Sequence, residues 1–194
     1  DAEIAGLVRG AVDTFRDLGA AVAEADPDCG DPSGTFRVLW WSGVRNLLGG
    51  LPESRKALLD PDLADVLEQS MSISLEQYFE AQKERAALGS RLRLFMQRYD
   101  LLVTPALPIP AFAAGMLAPA GDSIGKWVDW TPFTYPFNLS QQPAASVPCG
   151  FTKAGLPVGL QIIGPMFDDW TVLRAAHAYE RAHTWISKRP AAAM

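Results

Sequence analysis

Ile4, Leu7, Val8, Ala11, Val12, Phe15 and Leu18 recur every three or four positions, which predicts an amphipathic helix ended by Gly19. A short strand over 20–25 is expected next, stopped by Asp26-Pro27. A second helix starts at Ser33 or Thr35 and gathers Phe36, Leu39, Trp40, Val44, Leu47 and Leu48 on one face. Gly49-Gly50-Leu51-Pro52 breaks it. Asp60-Pro61 sets a capping residue before a first-turn proline and opens a helix over 62–69. A long helix over 74–98 follows, with Leu75, Tyr78, Phe79, Gln82, Leu92, Phe95 and Met96 as its inward stripe.

The period then changes. Residues 99–103 read as a strand ended by Thr104-Pro105, and 105–126 form a loop rich in Pro, Ala and Gly. Loops of that length tend to be binding segments or lids. Residues 127–139 are crowded with aromatics and turn helical at their end. Two β-favourable runs, 144–149 and 157–163, are separated by Gly150 and the Lys153-Ala154-Gly155 turn. Gly164-Pro165 closes this strand pair, and a helix over 169–183 completes the pattern. The expected architecture is α/β: part of a mixed sheet with helices packed on it, one domain over 1–194 with a loose tail at 190–194.

Composition narrows the function classes. At 48% hydrophobic and 20% charged residues, the chain is a globular protein rather than a disordered one. A net charge of −5 gives no footprint for nucleic acid or an anionic membrane. No apolar run reaches membrane-spanning length, and the cytoplasm is the default location. Cys29 and Cys149 are too few for a disulfide framework and lack metal-ligand spacing. Cys149 is expected as a buried, reduced thiol.

The candidate chemical groups mostly have structural explanations. Asp168 and Asp169 form an acidic pair at a helix start, where a carboxylate accepts orphan N–H groups, so capping is the reading. His177 and His183 fall on different faces of one helix and cannot share a metal; either could pair with Glu180. A triad using Ser146 or Ser140 is disfavoured, because a nucleophile needs an exposed elbow and Ser146 lies in an apolar strand run. Lys153 reads as a turn charge, and Arg85, Arg91, Arg93 and Arg98 as a solvated basic face. The aromatic cluster suits either the core or the wall of a pocket for an uncharged substrate.

Four segments together carry a resemblance. Phe133-Thr134-Tyr135-Pro136-Phe137-Asn138-Leu139, residues 144–150, residues 156–164 and residues 173–180 match the C-terminal pattern FTxPxNLxxxPAxSVPxG, LPVGLQxIG and a final helix. That order resembles the amidase signature family of Ser–Ser–Lys amide hydrolases. The opening helix, glycine and short strand also resemble the segment that follows the family's catalytic core. The resemblance implies a serine nucleophile on a Gly/Ser-rich loop, with a second serine and a lysine relaying protons, all in the N-terminal half. No Gly-Ser-Ser cluster occurs here. The chain is therefore expected to be the C-terminal portion of an amidase, to contribute no catalytic residue and to be inactive alone.

By the same resemblance Trp127, Trp130, Thr131, Phe133 and Asn138 are expected as substrate-pocket walls, with no metal and no other cofactor. Gln141 and Gln142 replace a glycine and a leucine common in the family, which implies a more polar pocket or a different local backbone. The implied partners are a small-molecule amide and the N-terminal half of the same amidase, or a second copy of the chain pairing at an uncovered sheet edge. Two alternatives remain: a glutaminase-type subunit of a transamidation complex, and a binding domain without catalysis.

Overall fold

A computed structural model of the chain describes residues 1–116, 118–119 and 128–183. The tail expected at 190–194 lies outside the described residues, as do 117 and 120–126 of the expected loop. The contacts divide into two units. The first comprises residues 1–28, 91–111 and 141 onward, and the second residues 29–90 and 112–140.

The first unit is built on a three-stranded antiparallel sheet. Its strands are β1 (Leu102–Pro105), β2 (Ala144–Phe151) and β3 (Pro157–Ile163), in the order β1-β3-β2. Helices α1 (Ala2–Asp17) and α7 (Asp169–Ala182) pack on it. Asp1 caps α1 by accepting from the Glu3 and Ile4 amides at 2.7 and 3.1 Å, and Gly19, at φ 93°, follows its last turn. Ile4, Val8, Ala11 and Phe15 are the stripe it buries, whereas Leu18 is exposed. They meet Val147, Cys149, Val158, Leu160 and Ile162 from the sheet and Val172, Ala176 and Tyr179 from α7. Each fully buried side chain of this kind contributes about 1.5–3 kcal/mol.

Two glycines permit this packing. Gly150 follows a bulge in β2, where the register shifts between Pro148 and Gly150. A Cβ there would lie 2.8 Å from Leu7 Cδ2. At Gly164 a Cβ would lie 2.6 Å from Val172 Cγ2, so α7 can seat itself only on a bare backbone.

The strand pair is as expected, with β2 running two residues past its predicted end. Two other strand expectations need correction. Residues 20–25, expected to join a sheet supplied mostly by residues outside this chain, form no strand: none of the three described strands pairs with them, and most of them are exposed. The strand expected at 99–103 lies at β1 instead. Its register is fixed by β3, with Thr104 opposite Gln161 and the Gln161 Nε2 donating to Thr104 Oγ1 at 3.0 Å. Among the described residues β1 pairs only with β3, so Pro105 interrupts no second ladder. Tyr99 stays outside the ladder, and the Arg98 guanidinium sits over the Phe95 and Tyr99 rings at 5.5 and 5.6 Å.

The second unit is helical. It contains α2 (Ser33–Leu48), α3 (Glu53–Lys56), α4 (Pro61–Ser70), the part of α5 (Leu75–Phe95) before Arg91, and α6 (Tyr135–Ser140). Asp60 caps α4 as predicted, accepting from the Asp62 amide at 3.0 Å. The expected inward faces are only partly right. On α2 the buried residue is Thr35, which donates to Glu84, and Leu47 is exposed. On α5, Leu75 and Phe79 are exposed, whereas Ala81, Leu88, Leu92 and Phe95 are buried. The buried stripe passes through Arg85, so a reading by polarity alone steps off it.

No helix among the described residues is long and apolar enough to cross a membrane.

Candidate functional site

The segment leading into α6 carries most of the expected pocket residues. Thr131 and Thr134 shape it. The Thr134 amide donates to Thr131 O at 3.1 Å, and the Phe137 and Asn138 amides both donate to Thr134 O at 3.2 Å. The hydroxyls reinforce these turns, Thr131 Oγ1 donating to Val128 O and Thr134 Oγ1 to Thr131 O. Pro136 in the first turn of α6 suits a position that needs no N–H partner.

The expected residues take different positions. Trp130 is half-buried and meets the Phe112 ring edge-to-face at 5.2 Å. Its Nε1–H is buried and finds no acceptor among the described residues. Phe133 and Thr131 are half-buried, and Asn138 is exposed on α6. Trp127 lies outside the described residues. Tyr135, Pro136, Phe137, Leu139 and Ser140 are all buried, so Asn138 is the one exposed residue of α6.

Tyr135 anchors this segment within its unit. Its ring stacks on Phe36 of α2 at 5.3 Å, and its hydroxyl lies 3.4 Å from Asp31 Oδ1. Hydrogen bonds from Ser33, side chain first and then backbone, hold the Asp31 carboxyl below its ordinary value. Burial foremost, and then the Asp31 charge, push the Tyr135 phenol up. Both effects favour the neutral phenol, which faces the carboxylate as a donor. Sequence reading missed this pair, which nothing in the local spacing of Asp31 and Tyr135 announces.

Arg85 was also misplaced by the sequence. It is half-buried, and its Nε donates to Leu139 O, at the end of α6, at 2.9 Å. A carbonyl that α6 leaves unpaired thus gains a charged donor. The Tyr78, Gln82 and Arg85 spacing of four and then three positions is the signal that places all three on one face.

The other candidates resolve structurally. Asp168 accepts from the Thr171 amide at 3.2 Å and caps α7. His177 is exposed, and His183 Nε2 lies 3.0 Å from Thr14 Oγ1. Ser140 is buried with its hydroxyl 3.3 Å from Phe137 O, and Ser146 is exposed on β2 rather than enclosed in an apolar run. Neither serine stands on a strand-to-helix elbow. Among the described residues no group of three or more His, Cys, Asp or Glu is placed to hold a metal ion.

Gln141, directly after α6, has φ 61°. A side chain in that left-handed region costs about 1–2 kcal/mol, which glycine avoids. Gln141→Gly is expected to raise stability by up to about 1 kcal/mol, read as a higher urea midpoint at unchanged slope.

The model of the Amidase family matches residues 1–173. The chain belongs to the amidase signature family. An acylamidase from Rhodococcus erythropolis is 33% identical over 197 residues, covering 98% of this chain and 41% of the relative. The A subunit of glutamyl-tRNA(Gln) amidotransferase from Myxococcus xanthus (strain DK1622) is 43% identical over 111 residues, or 57% of this chain and 22% of that protein. Among solved structures, a bacterial aryl acylamidase of the amidase signature family superposes with a TM-score of 0.79 at 28% identity, covering 97% of this chain and 43% of that one. The chain thus spans about two-fifths of the length of the acylamidase it matches.

Proposed function

We propose that the chain supplies substrate-pocket walls and scaffold to an amidase that hydrolyses carboxylic amide C–N bonds. The observation that carries this reading is the extent of similarity. It runs along 98% of the chain with an acylamidase, against 57% with the amidotransferase protein. The serine nucleophile, second serine and lysine of the family come, in this reading, from a portion of the fold that these residues do not represent. There a serine attacks the amide carbonyl, the amine leaves, and water releases the carboxylate, with backbone N–H groups stabilising the oxyanion. The buried Trp130 Nε1–H and the aromatic wall beside it support a role for the 130–138 segment in enclosing the acyl group.

The test compares this chain with the product of the complete reading frame that encodes it. Only the complete product is expected to hydrolyse simple acyl amides and anilides. Turnover by the 194 residues alone, or none by the complete product, would overturn the reading. Glutamine-dependent ammonia release that requires a second protein would favour the transamidation complex instead, a reading motivated by the 43% identity over 111 residues. In the complete product, Trp130→Ala is expected to change the ratio of kcat/KM between short- and long-chain acyl amides by about tenfold. An unchanged ratio across chain lengths would remove Trp130 from the pocket wall.

A further inference from the structure

The helical unit holds an open groove of about 410 Å³ between α2 and α5. Ser42, Gly43 and Asn46 line one wall from successive turns of α2, and Tyr78, Gln82 and Arg85 line the other from successive turns of α5. Leu39 adds an aliphatic edge. The volume is that of a small-molecule site.

Its chemistry is one-sided. No carboxylate lines the groove. Arg85 is half-buried, and no Asp or Glu pairs with it among the described residues; its polar contact is the Nε bond to Leu139 O. Neighbouring Glu84 is engaged by Thr35. An anion at its terminal nitrogens would supply the counter-charge that no carboxylate of the groove provides. The Leu139 bond also fixes the guanidinium plane, which favours the two parallel hydrogen bonds that a carboxylate accepts. Gln82 Nε2 donates to the Tyr78 oxygen at 2.8 Å, so the phenol proton is left for another acceptor. Ser42 and Asn46 add polar groups from the opposite wall.

We infer that this groove binds the carboxylate of a small organic molecule, with Arg85 as the counter-charge and Tyr78 as a neutral second donor. The inference stands on the groove itself and does not depend on the amidase reading. Two sources present the same group: a simple acid, such as amide hydrolysis releases, and an amide that carries a carboxylate elsewhere.

The experiment titrates the ¹⁵N-labelled chain with benzoate, N-benzoylglycine and the neutral isostere benzamide. At least one of the two acids is expected to bind saturably and to shift the Ser42, Gly43 and Gln82 amides. Benzamide is expected to bind at least about tenfold more weakly. Preference for benzoate assigns the groove to a free acid, and preference for N-benzoylglycine to a carboxylate-bearing amide. Arg85→Gln is expected to abolish the discrimination. Because Arg85 also supports α6, the deciding variant is Gly43→Leu. A Cβ at Gly43 meets nothing within 4 Å, so the leucine fits the helix and fills the groove. Acid binding that survives Gly43→Leu, equal affinity for acid and amide, or no saturation by either acid would overturn the inference.

Discussion

Replacing Tyr179 by alanine is expected to lower the stability of the sheet-bearing unit by about 3–5 kcal/mol, the range for removing a large buried aromatic ring. Tyr179 is 1% exposed. Its ring stacks on Phe15 at 5.4 Å with 21° between planes, and meets the His183 ring at 4.7 Å. It therefore joins α7 to α1, which come from opposite ends of the described chain. Alanine leaves a cavity that neither helix can close, because Ile4 and Val8 on α1 and Val172 on α7 already pack into the core. Tyr179→Phe keeps the ring stack and should lose far less. Urea denaturation followed by far-ultraviolet dichroism measures both. A loss below about 1 kcal/mol for Tyr179→Ala would mean that the two helices hold together without this ring.

Raising the pH is expected to destabilise the same unit through Cys149. Burial pushes its thiol up from 9.0 to about 11. In the unfolded chain the thiol ionises near its ordinary value, while the folded chain resists ionisation until about two units higher. The contribution is therefore fully present below pH 9 and is lost as pH rises from 9 to about 11. The slope is about 1.4 kcal/mol per pH unit, or about 3 kcal/mol in all. Urea midpoints for the wild type and Cys149→Ala across pH 8–11 isolate this contribution from the tyrosines and lysines that also titrate. Parallel slopes in the two proteins would rule it out.

Periodicity identified helices where one face alone is buried, and β-favourable runs with their turn residues identified the β2–β3 pair. Ile4, Val8, Ala11 and Phe15 repeat at helical spacing because one side of α1 packs and the other is wet. The pattern failed where burial and polarity part company. Arg85 lies on the packed stripe of α5, and Leu75 and Phe79 lie off it. A strand also needs a neighbour, which no local pattern supplies, and residues 20–25 have none in the sheet. The register of β1 was hidden for the same reason, being set by Gln161 in a strand far along the chain. For the candidate segment, the motif covered 133–139, and its spacing said nothing of the Asp31–Tyr135 and Arg85–Leu139 contacts that this segment makes. Gln141 was read as implying a more polar pocket or a different local backbone, and the residue has the left-handed φ that a glycine favours.

The discontinuity of the sheet-bearing unit has a consequence for how a ribosome delivers it. Helix α1 is complete by Asp17, but Tyr179 and the rest of α7 are made only after the whole helical unit has emerged. At ordinary synthesis rates that interval is on the order of ten to thirty seconds. Until Ile163 is made, Ile4, Val8, Ala11 and Phe15 have neither the β2–β3 hairpin nor α7 to cover them, while residues 29–140 already include every segment of the helical unit. The apolar stripe of α1 is thus left waiting while the helical unit is synthesised, and over this interval a holdase chaperone has a surface to protect.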